Sequence, residues 1–121
     1  MRFLVVDDSS TMRRIIINTL NKLGYTDCQE AGNGREGLDA MTASPVDVVI
    51  TDWNMPEMNG LEFARAVRAN DATKTVPILM VSTNAAESDI VAALKAGVSN
   101  YVVKPFTPTT IKDKIEAVMK A

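Results

Sequence analysis

The 121-residue sequence predicts a single domain over residues 1–121, because a chain of this length buries about two-thirds of the surface that it exposes when unfolded. Its charge is nearly balanced, with 13 basic and 15 acidic residues, and the lack of a basic run argues against nucleic-acid binding. It has no histidine, one cysteine and no apolar stretch near the ~20 residues that span a bilayer. These features exclude histidine-based catalysis and an internal disulfide, and they predict a cytoplasmic protein without membrane insertion.

The first half of the chain predicts three strands, each followed by a helical pattern. Residues 2–6 are an apolar run, and the helical spacing that follows ends at Gly24, where a helix C-cap belongs. Residues 26–31 predict a weaker, more polar strand. Residues 46–51 are again apolar, but this run delivers an acid, Asp52, immediately after its last position.

The second half of the chain repeats the strand–helix pattern twice. Residues 76–82 predict a buried strand, followed by a helix that begins near Ala85-Ala86 and ends at Gly97. Residues 100–104 predict the last strand. Thr107-Pro108 then supplies an N-cap residue and a first-turn proline for the last helix.

Five strand–helix units, written (βα)5, predict an α/β fold in which helices cover both faces of a parallel sheet, because right-handed crossovers place them there. The first, third and fourth strands are continuously apolar, which predicts that both of their faces are buried. The second strand is polar and the fifth is mixed, which predicts that they lie at the edges of the sheet. The sequence therefore predicts a doubly wound, five-stranded parallel sheet with the order 2-1-3-4-5.

The candidate chemistry lies at the carboxyl ends of the strands. In an open α/β sheet, ligands bind there, near the point where strand order reverses, which is here between the first and third strands. The residues at these ends are three acids, two hydroxyl residues and a lysine: Asp7, Asp8, Asp52, Ser82, Thr83 and Lys104. Each alone is more often a helix cap, a turn hydroxyl or a solvated charge, so the prediction rests on their joint placement.

Three carboxylates in one cleft repel one another unless a cation neutralises them, and short oxygen ligands favour Mg²⁺. A metal ion and Lys104 that converge on Asp52 describe a phosphoryl-transfer site with an aspartate nucleophile. This hypothesis explains why an apolar strand leads directly into Asp52: the strand holds the carboxylate where a phosphoryl group can reach it.

Four motifs resemble the receiver domain of two-component response regulators, and the resemblance spans essentially the whole chain: VVDDSSTMRR, DWNMPEMNG, MVST and YVVKPF. The resemblance implies a flavodoxin-like fold, on which the predicted strand order 2-1-3-4-5 partly rests, and it implies that Asp52 is the phosphoacceptor. It also implies that Asp7 and Asp8 bind Mg²⁺ together with Asp52 and the backbone carbonyl of Asn54.

The same resemblance assigns roles to residues near the last two strands. Ser82 is expected to bond the phosphoryl group, Lys104 to pair with it, Tyr101 to act as the aromatic switch residue and Pro105 to follow a cis peptide bond. Ser82 stands where threonine is more usual. Thr83 stands where a smaller residue often lies, so it is expected to narrow the approach to Asp52, and its effect on the rate of dephosphorylation stays open.

The function that the resemblance implies is that of a monomeric chemotaxis response regulator. Its expected phosphodonor is the phosphohistidine of a histidine kinase, with acetyl phosphate as a substitute, and a phosphatase is a further expected partner. Phosphorylation is expected to turn Tyr101 inward and to remodel the face made by helix 4, strand 5 and helix 5, which then binds the flagellar motor switch protein. The protein is expected to catalyse only its own phosphoryl uptake and loss.

Other functions fit the same residues to different degrees. A single-domain receiver that acts as a phosphate sink or phosphorelay intermediate stays open, because that choice depends on surface residues that the sequence does not rank. An aspartate-nucleophile phosphohydrolase is disfavoured, because such enzymes carry a second acid where this chain has Asn54. A flavin binder is disfavoured because Asp7 and Asp8 would repel the flavin phosphate.

Overall fold

A computed structural model describes residues 1–120, in which five strands alternate with five helices. The strands are β1 (Arg2–Val6), β2 (Asp27–Ala31), β3 (Val48–Thr51), β4 (Ile78–Ser82) and β5 (Asn100–Val103). The helices are α1 (Ser10–Lys22), α2 (Gly34–Ala43), α3 (Gly60–Ala69), α4 (Glu87–Ala96) and α5 (Pro108–Lys120). The predicted (βα)5 pattern is confirmed. Within this described range, no helix is both long and apolar enough to cross a lipid bilayer.

The five strands form one parallel sheet with the order β2-β1-β3-β4-β5, as predicted. Val5 of β1 lies opposite Glu30 on one side and Ile50 on the other. The chain therefore leaves β1 toward one edge of the sheet and later continues from β3 toward the other edge. The loops that follow β1 and β3 diverge, which opens a cleft at their carboxyl ends.

Two apolar cores lie on opposite faces of the sheet, because successive side chains of a strand point to opposite faces. Leu4 and Val6 pack in the core that contains Phe63 of α3. Phe3 and Val5 pack in the core that contains residues of α1 and α5, among them Ile16, Leu20, Ile111 and Ile115. The continuous apolarity of β1 thus reflects burial on both faces.

Several predicted element ends lie within two residues of the observed ones. β4 begins at Ile78 rather than at 76, since Pro77 has no N–H with which to extend the ladder. β5 ends at Val103, just before the cis Lys104–Pro105 peptide bond that the resemblance implied. Gly97 ends α4 with φ at 111°, and Thr107 caps α5 by accepting a hydrogen bond from Thr110 N–H.

Candidate functional site

Asp52 directly follows β3 and is held by its backbone. Its N–H donates to the carbonyl oxygen of Val6 in β1 at 2.9 Å. Its Oδ1 accepts a hydrogen bond from the N–H of Trp53 at 2.8 Å, and its side chain is only 11% exposed. The pairing of β1 with β3 therefore fixes the Asp52 carboxylate in the cleft.

Asp7 and Asp8 extend from the end of β1 into the same cleft. Asp7 is buried, its N–H donates to the carbonyl of Ala31, and its Oδ1 accepts from the N–H of Ser9. Asp8 is exposed at the mouth. One carboxylate oxygen each from Asp7, Asp8 and Asp52 lie within 4.8 Å of one another.

Lys104 directly follows β5, which lies on the other side of β4 from β3, and its side chain brings a positive charge to the acids. Its Nζ lies 3.4 Å from Oδ2 of Asp7 and 3.6 Å from Oδ1 of Asp52, and its side chain is 13% exposed. Its backbone N–H donates to the carbonyl of Ser82 at 2.8 Å, so the end of β4 holds the lysine in place.

The electrostatics of the cleft favour binding of a further cation. Burial raises the pKa of Asp52, and the neighbouring Asp7 raises it further, while Lys104 and the N–H of Trp53 lower it. The net pKa is raised, which means that Lys104 does not fully compensate the buried charge. A second positive charge near Asp52 would stabilise its ionised form.

The three carboxylates fit Mg²⁺ in both chemistry and spacing. Oxygen atoms are its preferred ligands, and two opposite ligands of one Mg²⁺ lie about 4 Å apart, close to the 4.8 Å that bounds the distances here. Asn54, whose backbone carbonyl is the fourth predicted ligand, is exposed two residues after Asp52. Its role as a ligand stays a prediction.

Ser82 and Tyr101 lie beside the acids and are connected through Asn84. Ser82 is fully buried, and its Oγ accepts a hydrogen bond from the N–H of Asn84 at 3.1 Å. The Tyr101 hydroxyl donates to the carbonyl of Asn84 at 2.6 Å, and its ring meets Trp53 edge to face at 6.4 Å. The ring of Tyr101 is buried, with 7% exposure, whereas Thr83 is exposed. The inward turn of Tyr101 on phosphorylation stays a prediction.

Two contacts near the cleft were missed by reasoning from the sequence. Asn84 accepts the Tyr101 hydroxyl through its backbone, which no side-chain pattern reports. Arg13 of α1 donates to the carbonyl of Asp7 at 2.6 Å. The sequence did contain a signal for Arg13. Arg13 precedes the buried Ile16 by three positions and the buried Leu20 by seven, so helical spacing places its charge on the buried face of α1.

A doubly wound sheet with three acids and a lysine at its switch point defines a receiver-type domain. The response regulator receiver domain family matches residues 3–116, so the chain belongs to that family, as the motifs predicted. Receiver domains bind Mg²⁺ at an acidic pocket, and Asp7, Asp8 and Asp52 form such a pocket here.

Relatives of known name and structure agree with this assignment. The chain is 56% identical to the chemotaxis protein CheY homolog of Campylobacter jejuni, over 98% of this chain and 92% of the relative. It is 54% identical to the chemotaxis protein CheY1 of Helicobacter pylori, over 98% and 97%. The structure of CheY4 from Vibrio cholerae matches with a TM-score of 0.90 and 37% identity over 97% of each chain. A putative response regulator from Chloroflexus aurantiacus matches with a TM-score of 0.94 and 29% identity, over 99% and 98%.

Proposed function

We propose that this protein is a chemotaxis response regulator in which Asp52 accepts a phosphoryl group from a histidine kinase in a Mg²⁺-dependent reaction. The observation that supports the phosphoryl-acceptor function is that Asp7, Asp8 and Lys104 converge on Asp52. The chemotaxis role is supported by relatives at 53–56% identity that are named CheY.

Each residue of the cleft has a separate role in the proposed phosphoryl transfer. Trp53 N–H and Lys104 both lie on Oδ1 of Asp52, which orients Oδ2 as the attacking oxygen. Oδ2 forms a bond to phosphorus as the bond from phosphorus to the histidine nitrogen breaks, and imidazole leaves. Mg²⁺, when bound by Asp7, Asp8, Asp52 and the carbonyl of Asn54, supplies positive charge for the phosphoryl oxygens.

Ser82 and Lys104 bind the product of this transfer. Oγ of Ser82 already accepts from Asn84, so its hydroxyl proton is the group that it offers to a phosphoryl oxygen. The amide Asn54 stands two residues after Asp52, where a phosphohydrolase would place a general acid–base. The acyl phosphate therefore persists long enough to signal, and the protein catalyses only its own phosphorylation and dephosphorylation.

The output surface is the face formed by α4, β5 and α5, which binds the flagellar motor switch protein. This face exposes four large apolar side chains: Val91, Leu94, Val103 and Met119. Tyr101 connects the face to the cleft, because its ring meets Trp53 and its hydroxyl holds the β4–α4 loop at Asn84. A shift of Ser82 toward a phosphoryl group moves Asn84 and hence the packing of Tyr101.

Labelling with radioactive acetyl phosphate tests the acceptor. Asp52→Asn should abolish phosphate incorporation, and Asp39→Asn, which removes the same charge from an exposed position on α2, should leave it unchanged. Incorporation that survives in Asp52→Asn would move the acceptor to another residue. A pull-down with and without acetyl phosphate and Mg²⁺ then tests the output, since a phosphate sink would capture no motor-switch protein in either condition.

A further inference from the structure

Arg13 joins the loop that carries the metal ligands to the edge strand of the sheet. Its Nη1 donates to the carbonyl oxygen of Asp7 at 2.6 Å, and its Nε donates to Oε1 of Glu30 in β2 at 2.9 Å. The Arg13 side chain is 19% exposed, whereas that of Glu30 is 52% exposed. Arg13 also lines a cavity of about 410 Å³ that Asp8, Glu30 and Glu36 border. Arg13 is therefore a fixed cation beside an acidic opening.

The bond to the Asp7 carbonyl constrains Asp8. That carbonyl belongs to the peptide unit between Asp7 and Asp8, and a peptide unit is planar, so its orientation sets the direction in which the chain enters Asp8. The side chain of Asp7 is separately held by Ser9 and Lys104. Asp8 is exposed, so the backbone on which it stands governs where its carboxylate points.

We infer that Arg13 is a positioning residue for the Mg²⁺ site, which orients the Asp7–Asp8 peptide and is itself anchored by Glu30. The inference rests on the proposed function, because it concerns the same metal site. In this role Arg13 acts through Asp7 and Asp8, because its hydrogen bond in the cleft is to the carbonyl of Asp7.

Arg13 can affect Mg²⁺ binding through its charge or through its positioning of Asp8, and the two effects predict opposite changes in Mg²⁺ affinity when Arg13 is replaced. A positive charge near a cation site repels the cation, so electrostatics alone predicts that Arg13→Gln binds Mg²⁺ more tightly. Positioning predicts weaker binding. Arg13→Lys separates the two effects further, because it keeps the charge but replaces the planar fork that reaches both the Asp7 carbonyl and Glu30 with a single ammonium group.

The test is a Mg²⁺ titration followed by the emission of Trp53, in about 0.15 M salt to limit long-range charge effects. Arg13→Lys and Arg13→Gln should both weaken Mg²⁺ binding roughly tenfold, which is the lower end of the usual effect of replacing a residue that orients a metal ligand. Arg14→Lys and Arg14→Gln are matched controls, since Arg14 is the exposed neighbour on α1, and both should stay within about twofold of the wild type.

The outcomes separate the two hypotheses. Wild-type affinity in Arg13→Lys, or tighter binding in Arg13→Gln, would overturn the positioning role while leaving the metal site intact. A wild-type protein that gives no Mg²⁺ response by emission or by calorimetry would overturn the metal site and the inference together.

A double-mutant cycle tests Glu30 as the anchor. Glu30→Gln should weaken Mg²⁺ binding in the wild type but have little further effect in the Arg13→Gln background, because Glu30 acts through Arg13. Equal effects of Glu30→Gln in both backgrounds would show that Glu30 acts only by its charge and would overturn its anchoring role. If Arg13→Gln fails to fold, the same cycle with Arg13→Lys as the background tests the anchor.

Discussion

At the scale of single residues, the partly buried carboxylate of Asp52 lowers the stability of the folded protein at neutral pH. Burial raises its pKa, and Asp7 adds to the rise, although Lys104 and the N–H of Trp53 oppose it. The folded protein therefore keeps the Asp52 proton to a higher pH than the unfolded chain does. The resulting contribution to stability is present below the ordinary aspartate pKa and is lost as the pH rises through the raised pKa of the folded state.

Asp52→Asn should consequently stabilise the protein at neutral pH in the absence of Mg²⁺, because asparagine remains neutral at every pH. The gain in the free energy of unfolding over the wild type should shrink as the pH falls below the ordinary aspartate pKa, where the wild-type side chain is also neutral. Urea unfolding at pH 7 and at about pH 3 measures both differences. The exposed control Asp39→Asn should show a smaller change, and a stability gain for Asp52→Asn that does not depend on pH would contradict the explanation.

Gly60 lets the turn after Asp52 close. A Cβ at this position would lie 2.2 Å from the carbonyl oxygen of Asp52 and 2.9 Å from Cα of Trp53, which are backbone atoms that cannot move without displacing Asp52. Helix propensity favours alanine over glycine by only ~1 kcal/mol, so the steric clash dominates.

Gly60→Ala should therefore lower the free energy of unfolding by about 3 kcal/mol, the upper part of the usual range for overpacking, and should weaken the Mg²⁺ response of Trp53. Chemical denaturation and a Mg²⁺ titration measure the two effects. Gly32→Ala is the matched control, since its nearest neighbour is the Glu36 carboxylate at 3.4 Å. Wild-type stability in Gly60→Ala would mean that the turn is not closely packed.

At the scale of elements, Arg68 of α3 connects three segments near the end of α4. It donates to the carbonyls of Gly97, Lys74 and Val76 at 2.9, 3.0 and 2.6 Å, and to Oγ of Ser99 at 3.3 Å. Burial lowers the pKa of Arg68. Gly97 ends α4, so the guanidinium also lies at the negative end of that helix.

Arg68→Lys should destabilise the protein by about 1–3 kcal/mol, because a single ammonium group leaves some of these acceptors without a donor. Arg65→Lys, on the exposed face of the same helix, should change stability by less than about 0.5 kcal/mol. Thermal and urea unfolding compare the two variants. Equal stability would indicate that water replaces the lost hydrogen bonds without cost.

The element pattern and the cleft residues were predictable from the sequence, whereas contacts such as those of Arg68 were not. Apolar runs located the strands, and the rules for parallel sheets place their carboxyl ends at one edge, which predicts that Asp7, Asp52 and Lys104 meet in one cleft. The bond between Arg68 and Gly97 joins residues 29 positions apart and depends on a rotamer and a loop path. No local pattern encodes such a contact.

At the scale of the whole molecule, the cleft and the α4, β5 and α5 face are proposed to be coupled through Ser82, Asn84 and Tyr101. Coupling between two binding sites is reciprocal, because both ligands shift the same conformational equilibrium. Phosphorylation that favours target binding therefore requires that the target favours phosphorylation. The coupling free energy of such systems is typically ~1–3 kcal/mol, or about 5- to 150-fold in affinity.

A peptide from the flagellar motor switch protein should accordingly bind the beryllofluoride-treated protein more tightly than the untreated protein, and it should raise the apparent affinity for beryllofluoride by the same factor. Lys104→Ala should weaken both effects in parallel, because Lys104 contacts the acids of the cleft. Tyr101→Ala should alter peptide binding more than beryllofluoride binding, since it removes the link to Asn84 while leaving the acids in place. Calorimetry of each ligand with and without the other measures the two factors. Equal peptide affinity with and without beryllofluoride would exclude a phosphorylation switch through this face and would favour the phosphate-sink function.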